Sequence, residues 1–277
     1  GFNLKDLDNP GEIETDQQGR LYICDVGRSR IVRTDPEGRN MEVPVKLENQ
    51  CQGVAVDPKT GDIYTTTNNS KSVYHFSKAG AALQPFESEE ALSFLRFDRK
   101  GNLFGAGSHV FRFANGKPVL EIAEVAGDDL YTKAFDVDTS SGNIWIASGL
   151  EKDRSLYRAS SDGKTKQKMA SGADWHLGRV DVPESVRIDA QGNVYVVELG
   201  EVDTEEPARI SIFDKSGSLV RVFGRGGRTP DPNKEKLLTG QAYHPTDIAF
   251  GANGRVYIAQ ENDNGFTRSL MLMFEAF

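Results

Sequence analysis

Apolar and polar residues alternate with a period of two along much of the chain, in pairs of short runs separated by a polar turn that contains a glycine. The stretch GEIETDQQGRLYICD, residues 11–25, shows the arrangement, and residues 52–67 and 185–198 repeat it. A period of two is typical of β-strands, and the Val, Ile and Tyr residues of these runs favour strands over helices. Each pair of runs is therefore predicted to form a β-hairpin.

The hairpin pattern occurs six times along the sequence. Its turn glycines are Gly19, Gly61, Gly101, Gly142, Gly192 and Gly254. The first four are 40 to 42 residues apart, and the last two intervals, of 50 and 62 residues, contain insertions. Repeats of this length are typical of propellers and solenoids, in which each unit buries its faces against its neighbours.

Further strand-like runs follow each hairpin, most clearly at residues 209–213 and 219–223. Four-stranded sheets that repeat around an axis are the blades of a β-propeller. We therefore predict an all-β fold, a six-bladed β-propeller with four-stranded antiparallel blades, formed as a single domain by residues 1–277. The sixth copy ends without a fourth run, so residues Phe2 to Leu7 are predicted to add the outer strand that closes the last blade.

Composition and charge narrow the classes of partner. The formal net charge is -8 and no basic stripe occurs, which argues against nucleic acid as a partner. No apolar run approaches the roughly 18 residues of a membrane-spanning helix. The two cysteines, Cys24 and Cys51, could be neighbours in a ring of repeats, either as a disulfide or as two separate buried thiols, and the sequence favours separate thiols.

The repeats resemble those of the NHL-repeat propellers, whose pattern is Pro-x-Gly-Ile-Ala-Val-Asp, a glycine turn, Val-Tyr-Val-Ala-Asp, then Arg-Ile and an aromatic residue. The resemblance is carried by residues 53–57 (GVAVD), 208–213 (ARISIF) and 244–250 (HPTDIAF), and it extends over essentially the whole chain. It implies the propeller fold. Six-bladed relatives include protein-binding modules, streptogramin lyase and gluconolactonase-like metal hydrolases, so the fold leaves the activity open.

Acidic residues occupy positions that a propeller would bring to one mouth of its central channel, at inner-strand starts and second-strand ends. They are Glu12, Glu184, Glu198 and Asp247. Carboxylates that lie close together repel unless a cation intervenes, and their hard oxygen ligands suit Ca²⁺ or another divalent cation. Gluconolactonase-like relatives imply a metal-binding glutamate one position before Glu12. The alternative, which the sequence favours, is an ion pair between Lys133 and Glu12 or Glu184 without a metal.

Two histidines and two long connections supply the remaining candidate site residues. His176 and His244 precede inner strands of neighbouring copies, where a histidine beside a carboxylate can act as a general base or simply pack the loop. The connections 164–182, with Trp175, and 224–243, with Arg225 and Arg228, are long enough to form a binding surface. Candidate ligand-binding residues on the same predicted mouth are Gln52 and Lys133.

The sequence leaves two functional hypotheses. The first, which it favours, is a binding or assembly module that holds a protein, peptide or glycan on the face at the inner-strand starts, because no complete catalytic motif is present. The alternative is a divalent-metal-dependent lactonase, hydrolase or lyase with its site at the channel mouth. A periplasmic or extracellular location is expected because many bacterial members of the resembling family are exported.

Overall fold

The computed structural model describes residues 7–125, 128–129, 131–149, 154–170, 180, 182–199, 208–223, 245–251, 254–260 and 270–275. Five antiparallel sheets of four strands are present, with strands in chain order across each sheet. Blade 1 contains β1 (Pro10–Thr15), β2 (Leu21–Asp25), β3 (Arg30–Thr34) and β4 (Glu42–Lys46), with a short 3-10 helix at Val26–Arg28. Blade 2 contains β5 (Cys51–Val56), β6 (Ile63–Thr67), β7 (Ser72–Phe76) and β8 (Phe86–Glu87).

The next three blades follow the same order. Blade 3 contains β9 (Phe94–Phe97), β10 (Leu103–Ala106), β11 (Val110–Ala114) and β12 (Lys117–Ile122), and is followed by a two-stranded ribbon of β13 (Glu124–Val125) and β14 (Asp128–Asp129). Blade 4 contains β15 (Thr132–Val137), β16 (Ile144–Ser148), β17 (Leu156–Ala159) and β18 (Lys166–Ala170). Blade 5 contains β19 (Pro183–Ile188), β20 (Val194–Glu198), β21 (Arg209–Phe213) and β22 (Leu219–Phe223).

The sixth sequence copy forms a sheet of three strands, β23 (Pro245–Phe250), β24 (Arg255–Gln260) and β25 (Leu270–Glu275). The described residues therefore contain five complete blades, where the sequence predicts six. Residues 1–6, predicted to supply most of the closing strand, lie outside the described residues. The innermost strands form a ring, because each contacts the inner strand of the next sheet and β23 contacts β1.

An aspartate at the end of each inner strand of the five blades explains the tight turn that follows. These residues are Asp16, Asp57, Asp98, Asp138 and Asp189, and each carboxylate accepts a hydrogen bond from the backbone N–H two residues later. The turn then passes through a glycine with positive φ, such as Gly19 at 75° and Gly192 at 86°. The period-two runs and their turns thus form hairpins, as the sequence predicts.

The described residues form six hydrophobic clusters, one in each gap between neighbouring sheets, and these make up the core. The gap between blades 1 and 2 shows a covalent link as well, because Cys24 and Cys51 form a disulfide with a Cα–Cα distance of 5.7 Å. The preference for two separate thiols is therefore wrong. The sequence placed both cysteines at strand ends but could not tell whether the two ends lie within bonding distance.

The ring closes through contacts between the first blade and the three-stranded sheet. The Thr15 hydroxyl donates a hydrogen bond to the Phe250 carbonyl at 2.7 Å, and the Tyr257 hydroxyl donates to the Pro36 carbonyl at 2.9 Å. Leu7 is buried in the hydrophobic cluster of the same gap. The part of the chain that the structure describes contains no helix of the length and apolarity that crossing a membrane requires.

Candidate active site in the central channel

Charged side chains line the channel in two successive rings of equivalent inner-strand positions. The strand register aligns Glu12, Gly53, Phe94, Ala134, Ser185 and Asp247 in the first ring. Two residues further along each strand, the second ring holds Glu14, Ala55, Arg96, Asp136, Arg187 and Ala249. Residues two apart on a strand share a face, which places four carboxylates and two guanidinium groups in one channel.

Asp247 is the most extensively bonded of these carboxylates. Arg187 donates to it from Nε at 3.0 Å and from Nη2 at 2.7 Å, and the Ser185 hydroxyl donates a further bond. The backbone N–H of Ile13 also donates to Asp247 at 2.9 Å, which ties the last inner strand to the first. Burial alone would raise the pKa of Asp247, but Arg187 and Arg96 outweigh it and hold the pKa below its usual value.

Arg96 is almost fully buried, at 2% side-chain exposure, yet only part of its guanidinium is hydrogen-bonded. Its Nη1 donates to Glu12 and to the Leu95 carbonyl. Among the described residues, Nε and Nη2 have no hydrogen-bond partner, and the nearest carboxylate oxygens, on Asp136 and Asp247, lie 3.8 and 3.9 Å away. Burial and the neighbouring Arg187 lower the pKa of Arg96 to about 9. Buried unpartnered donors are rare in proteins and indicate a place for a ligand or water.

Glu14 and Asp136 are the two remaining channel carboxyl groups. Glu14 accepts hydrogen bonds from Arg187 Nη1 at 3.1 Å and from the Thr15 N–H at 2.8 Å. From the described residues, Asp136 accepts hydrogen bonds only from backbone N–H groups, those of Val137 and Ile188, both at 2.8 Å. Burial raises the pKa of both carboxyl groups above their usual values, although the nearby arginines oppose the shift. Both groups can therefore exchange protons closer to neutral pH than an exposed carboxylate.

These groups face a pocket of about 290 Å³ at one end of the channel. Its floor includes Glu14, Arg96, Asp136 and Arg187, and its rim is formed by the turns that follow the inner strands, including Arg99. This end is opposite to the inner-strand starts, where the sequence analysis placed the site. The described residues thus place proton-exchanging and cationic groups together on the face that the prediction did not consider.

The four predicted metal-binding carboxylates all have cationic partners, and only Glu12 and Asp247 lie in the same channel ring. Glu12 and Asp247 bind the channel arginines, whereas Glu184 pairs with Lys133 at 2.8 Å, as the favoured alternative predicts. Glu198 binds Arg209 Nη2 at 2.8 Å. Among the residues that the structure describes, no three His, Cys, Asp or Glu side chains form a metal-binding group. The four carboxylates as arranged do not fit one shared divalent cation.

Of the remaining predicted site residues, Gln52 alone belongs to the described part of the chain. Gln52 is a half-buried residue of β5. The two candidate bases, His176 and His244, lie outside the described residues, as do Trp175, Arg225 and Arg228. Their predicted roles in catalysis and binding stay predictions.

Sequence reasoning missed four residues of the second ring, Glu14, Arg96, Asp136 and Arg187. Their signal was present in the repeat itself. In the pattern Gly-Val-Ala-Val-Asp of blade 2, the residue two before the turn aspartate is Ala55, and the same position is charged in four other copies. A charge flanked by apolar residues on an innermost strand cannot reach bulk solvent and must find partners in the channel.

Comparison with known proteins supports the fold and leaves the family open. No protein-family model matches the chain, so the NHL assignment remains a resemblance. The lactonase drp35 of Staphylococcus aureus strain MW2 is 20% identical over 294 residues, which cover 92% of this chain and 83% of that protein. Drp35 of a second strain, RF122, is 19% identical over 278 residues, covering 91% of this chain and 79% of that protein.

Two solved structures, named as a lactonase and a lyase, share the architecture. A gluconolactonase from Xanthomonas campestris superimposes with a TM-score of 0.67 at 13% identity, over 98% of this chain and 87% of that chain. A streptogramin B lyase gives a TM-score of 0.63 at 14% identity, over 99% of this chain and 96% of that chain. Identities this low establish a propeller of this kind and carry no activity with them.

Proposed function

We propose that the protein is a small-molecule hydrolase of the lactonase kind, with its active site in the channel pocket. The observation that carries the proposal is the buried guanidinium of Arg96, which holds two unpartnered donors beside two carboxyl groups of raised pKa. Ester and lactone hydrolysis needs these parts, a base for water, an acid for the leaving oxygen and donors for a developing oxyanion. The sequence similarity to the lactonase drp35, which covers 92% of this chain, supports the same class.

Glu14 is the better placed general base. Its hydrogen bond from Arg187 favours the ionised form, and at 21% side-chain exposure it is the more accessible of the two carboxyl groups. In the proposed reaction, Glu14 takes a proton from water while the water oxygen bonds to the lactone carbonyl carbon. A base whose pKa is raised toward the working pH combines a useful ionised fraction with a strong tendency to accept the proton.

Arg96 would stabilise the charge that forms on the carbonyl oxygen. Its Nε and Nη2 donors are fixed in place by the bonds that Nη1 makes to Glu12 and to the Leu95 carbonyl. Donors that are already oriented cost no reorganisation when the oxyanion forms, and a buried site strengthens their effect. Removing one such donor in other hydrolases costs about 10²–10³ in kcat.

Asp136 would complete the reaction as the general acid. Burial raises the pKa of Asp136, and among the described residues only backbone N–H groups donate hydrogen bonds to it, so it can hold a proton to donate. When the ring C–O bond breaks, Asp136 passes its proton to the leaving alkoxide. The product is the hydroxy acid, and one water is consumed for each ring opened. Solvent then carries the proton from Glu14 to Asp136, which restores both groups for the next cycle.

Replacing Glu14 by glutamine is expected to lower kcat for a hydrolysed lactone by about 10²–10⁴, the range typical of a lost general base. The glutamine keeps an oxygen that can accept the Thr15 N–H bond. Acid release from simple γ- and δ-lactones, followed with a pH indicator, measures the effect. Lys133→Gln, which removes a charge at the other end of the inner strands, serves as the control and should keep wild-type kcat.

Two further readouts separate catalysis from folding. The wild-type kcat/KM should rise with pH through the raised pKa of the base, and this rise should be absent in Glu14→Gln. Because a raised pKa stabilises the fold at low pH and loses that contribution as pH rises, Glu14→Gln should be at least as stable as the wild type at pH 8. Unchanged lactone turnover in this variant would refute the assignment of the base.

The binding-module hypothesis, with a protein, peptide or glycan partner, has less support than the hydrolase hypothesis. Pocket chemistry and relatives both favour the enzyme, whereas no described surface indicates such a partner. The proposed reaction has no step that uses a metal, because the predicted carboxylate ligands are bound to arginine and lysine side chains.

We further propose a periplasmic or extracellular location, supported by the Cys24–Cys51 disulfide, since disulfides persist in oxidising compartments.

We also propose that the N-terminal residues complete the three-stranded sheet as a sixth blade. Support comes from Leu7, which is buried with residues of β1 and β24 and so brings the N-terminal segment to this sheet. Deleting residues 1–6 should then lower the melting temperature by several degrees, because an outer sheet edge would be exposed. Differential scanning calorimetry of the shortened and full chains measures this, and equal melting temperatures would contradict the closure.

A further inference from the structure

We infer that Arg99, on the rim of the channel pocket, binds a carboxylate group of the substrate, so that the substrate is a lactone carrying an acidic substituent. This inference rests on the proposed function for the identity of the reacting group. It rests on the pocket itself for the position of the anion. The two arginines Arg96 and Arg99 belong to the same blade, three residues apart, and both line the pocket.

The side chain of Arg99 is available to a ligand, as far as the described residues show. It is exposed, and no described residue forms a hydrogen bond or an ion pair with it. It is held in place by its own turn, because the preceding Asp98 accepts the backbone N–H bonds of Lys100 at 2.9 Å and Asn102 at 2.8 Å. A guanidinium with free donors on a fixed turn is suited to bidentate binding of a carboxylate.

The equivalent positions in the other turns carry no charge. The residues that follow the turn aspartates and line this pocket are Gln17, Arg99, Thr139 and Ala190. Of these described positions only Arg99 is ionised, so the pocket rim has one side on which an anion is preferred. The turn sequences thus determine the orientation of a charged substrate.

The described acidic residues on the rim, Asp16 and Asp189, bond to other groups and form no ion pair with Arg99. Asp16 accepts bonds from Arg20 Nε at 2.6 Å and from two backbone N–H groups of its own turn. Asp189 accepts bonds from the Asn193 side chain at 2.8 Å and from its own turn. Both carboxylates are therefore already hydrogen-bonded, whereas no described residue bonds to the exposed Arg99 or to the Nε and Nη2 atoms of Arg96.

Arg96 and Arg99 would contact different parts of the substrate. The lactone carbonyl lies against Arg96 at the floor, next to Glu14 and Asp136, and the carboxylate substituent lies against Arg99 at the rim. Because Arg99 contacts a part of the substrate that does not react, its bond contributes equally to the ground state and the transition state. Its loss should therefore raise KM and leave kcat unchanged.

The test compares two lactones that differ only in charge, 5-oxotetrahydrofuran-2-carboxylate and its 2-carboxamide. Arg99→Gln is expected to raise KM for the carboxylate about 10-fold, the loss of a charge-assisted hydrogen bond, and to leave KM for the carboxamide unchanged. Arg99→Lys should recover part of the affinity. Lys100→Gln removes the same charge from the neighbouring exposed residue, which does not line the pocket, and should have no effect.

Calorimetric titration with 2-hydroxyglutarate, the ring-opened product, tests the subsite without turnover. We expect wild-type binding that weakens with added salt and about 10-fold weaker binding to Arg99→Gln. If 2-hydroxyglutarate binds in this way but no lactone is hydrolysed, the anion subsite stands and the hydrolase proposal fails. If lactones are hydrolysed but Arg99→Gln affects both probes alike, or 2-hydroxyglutarate does not bind, the inference about Arg99 is overturned.

Discussion

Replacing Asp247 by alanine is expected to destabilise the folded protein by about 4 kcal/mol or more. Asp247 is 3% exposed and is the principal partner of the buried Arg187. Removing one member of a buried ion pair typically costs about 3–5 kcal/mol, because the remaining charge is left without compensation. The backbone N–H of Ile13 would also lose its acceptor, at an additional cost of about 1–3 kcal/mol.

The lost stability would come from the contact between the last inner strand, β23, and the first, β1. Since whole domains are stable by only about 5–15 kcal/mol, Asp247→Ala removes a large share of the total. Urea or guanidinium denaturation measures the change. Glu184→Gln is the matched control, because the pair of Glu184 with Lys133 is 24% and 40% exposed and should contribute less than about 1 kcal/mol.

Asp247→Asn keeps the side-chain shape and one acceptor oxygen, so it should fold and lose less stability than the alanine variant. The pH dependence gives a second check. A carboxyl group whose pKa is lowered by folding contributes stability above its unfolded pKa, near 4, and loses it as pH falls through the folded pKa. The wild type should therefore lose stability as the pH falls below about 4, and Asp247→Asn should lose less stability over the same pH range. Equal stability of all three proteins would exclude a structural role for this network.

Removing the disulfide with the double substitution Cys24→Ala and Cys51→Ala is expected to lower the free energy of unfolding by about 3 to 4 kcal/mol. The two cysteines are 27 residues apart, and a cross-link over that distance restricts the unfolded chain by about this amount. Guanidinium denaturation under non-reducing conditions measures the difference. Both cysteines are fully buried, so a reductant should act on the wild type mainly after unfolding.

The control for this prediction is the reductant itself. Dithiothreitol should shift the denaturation midpoint of the wild type toward that of the double variant and should leave the variant unchanged. A double variant as stable as the oxidised wild type would show that the link between blades 1 and 2 adds nothing to the packing of the cluster around it.

The sequence by itself determined the repeating unit of this protein. Period-two alternation and the turn glycines predicted the hairpins, and the aspartates at the strand ends cap the turns as expected of such residues. The six-fold repetition predicted a propeller, because a lone blade cannot bury both of its faces. These features are local, so neighbouring residues are sufficient to encode them.

Which groups meet in the channel was decided by the tertiary structure alone. Arg96 and Glu12 are 84 residues apart in the chain, and Asp247 and Ile13 are 234 apart, so no local pattern relates them. The sequence gathered Glu184 and Glu198 with Glu12 and Asp247, but Glu184 pairs with Lys133 near the surface and Glu198 pairs with the buried Arg209 of its own blade. The reason is geometric: a strand alternates its side chains between the channel and the neighbouring sheets, and only closure of the ring determines which charges face each other and at what distance.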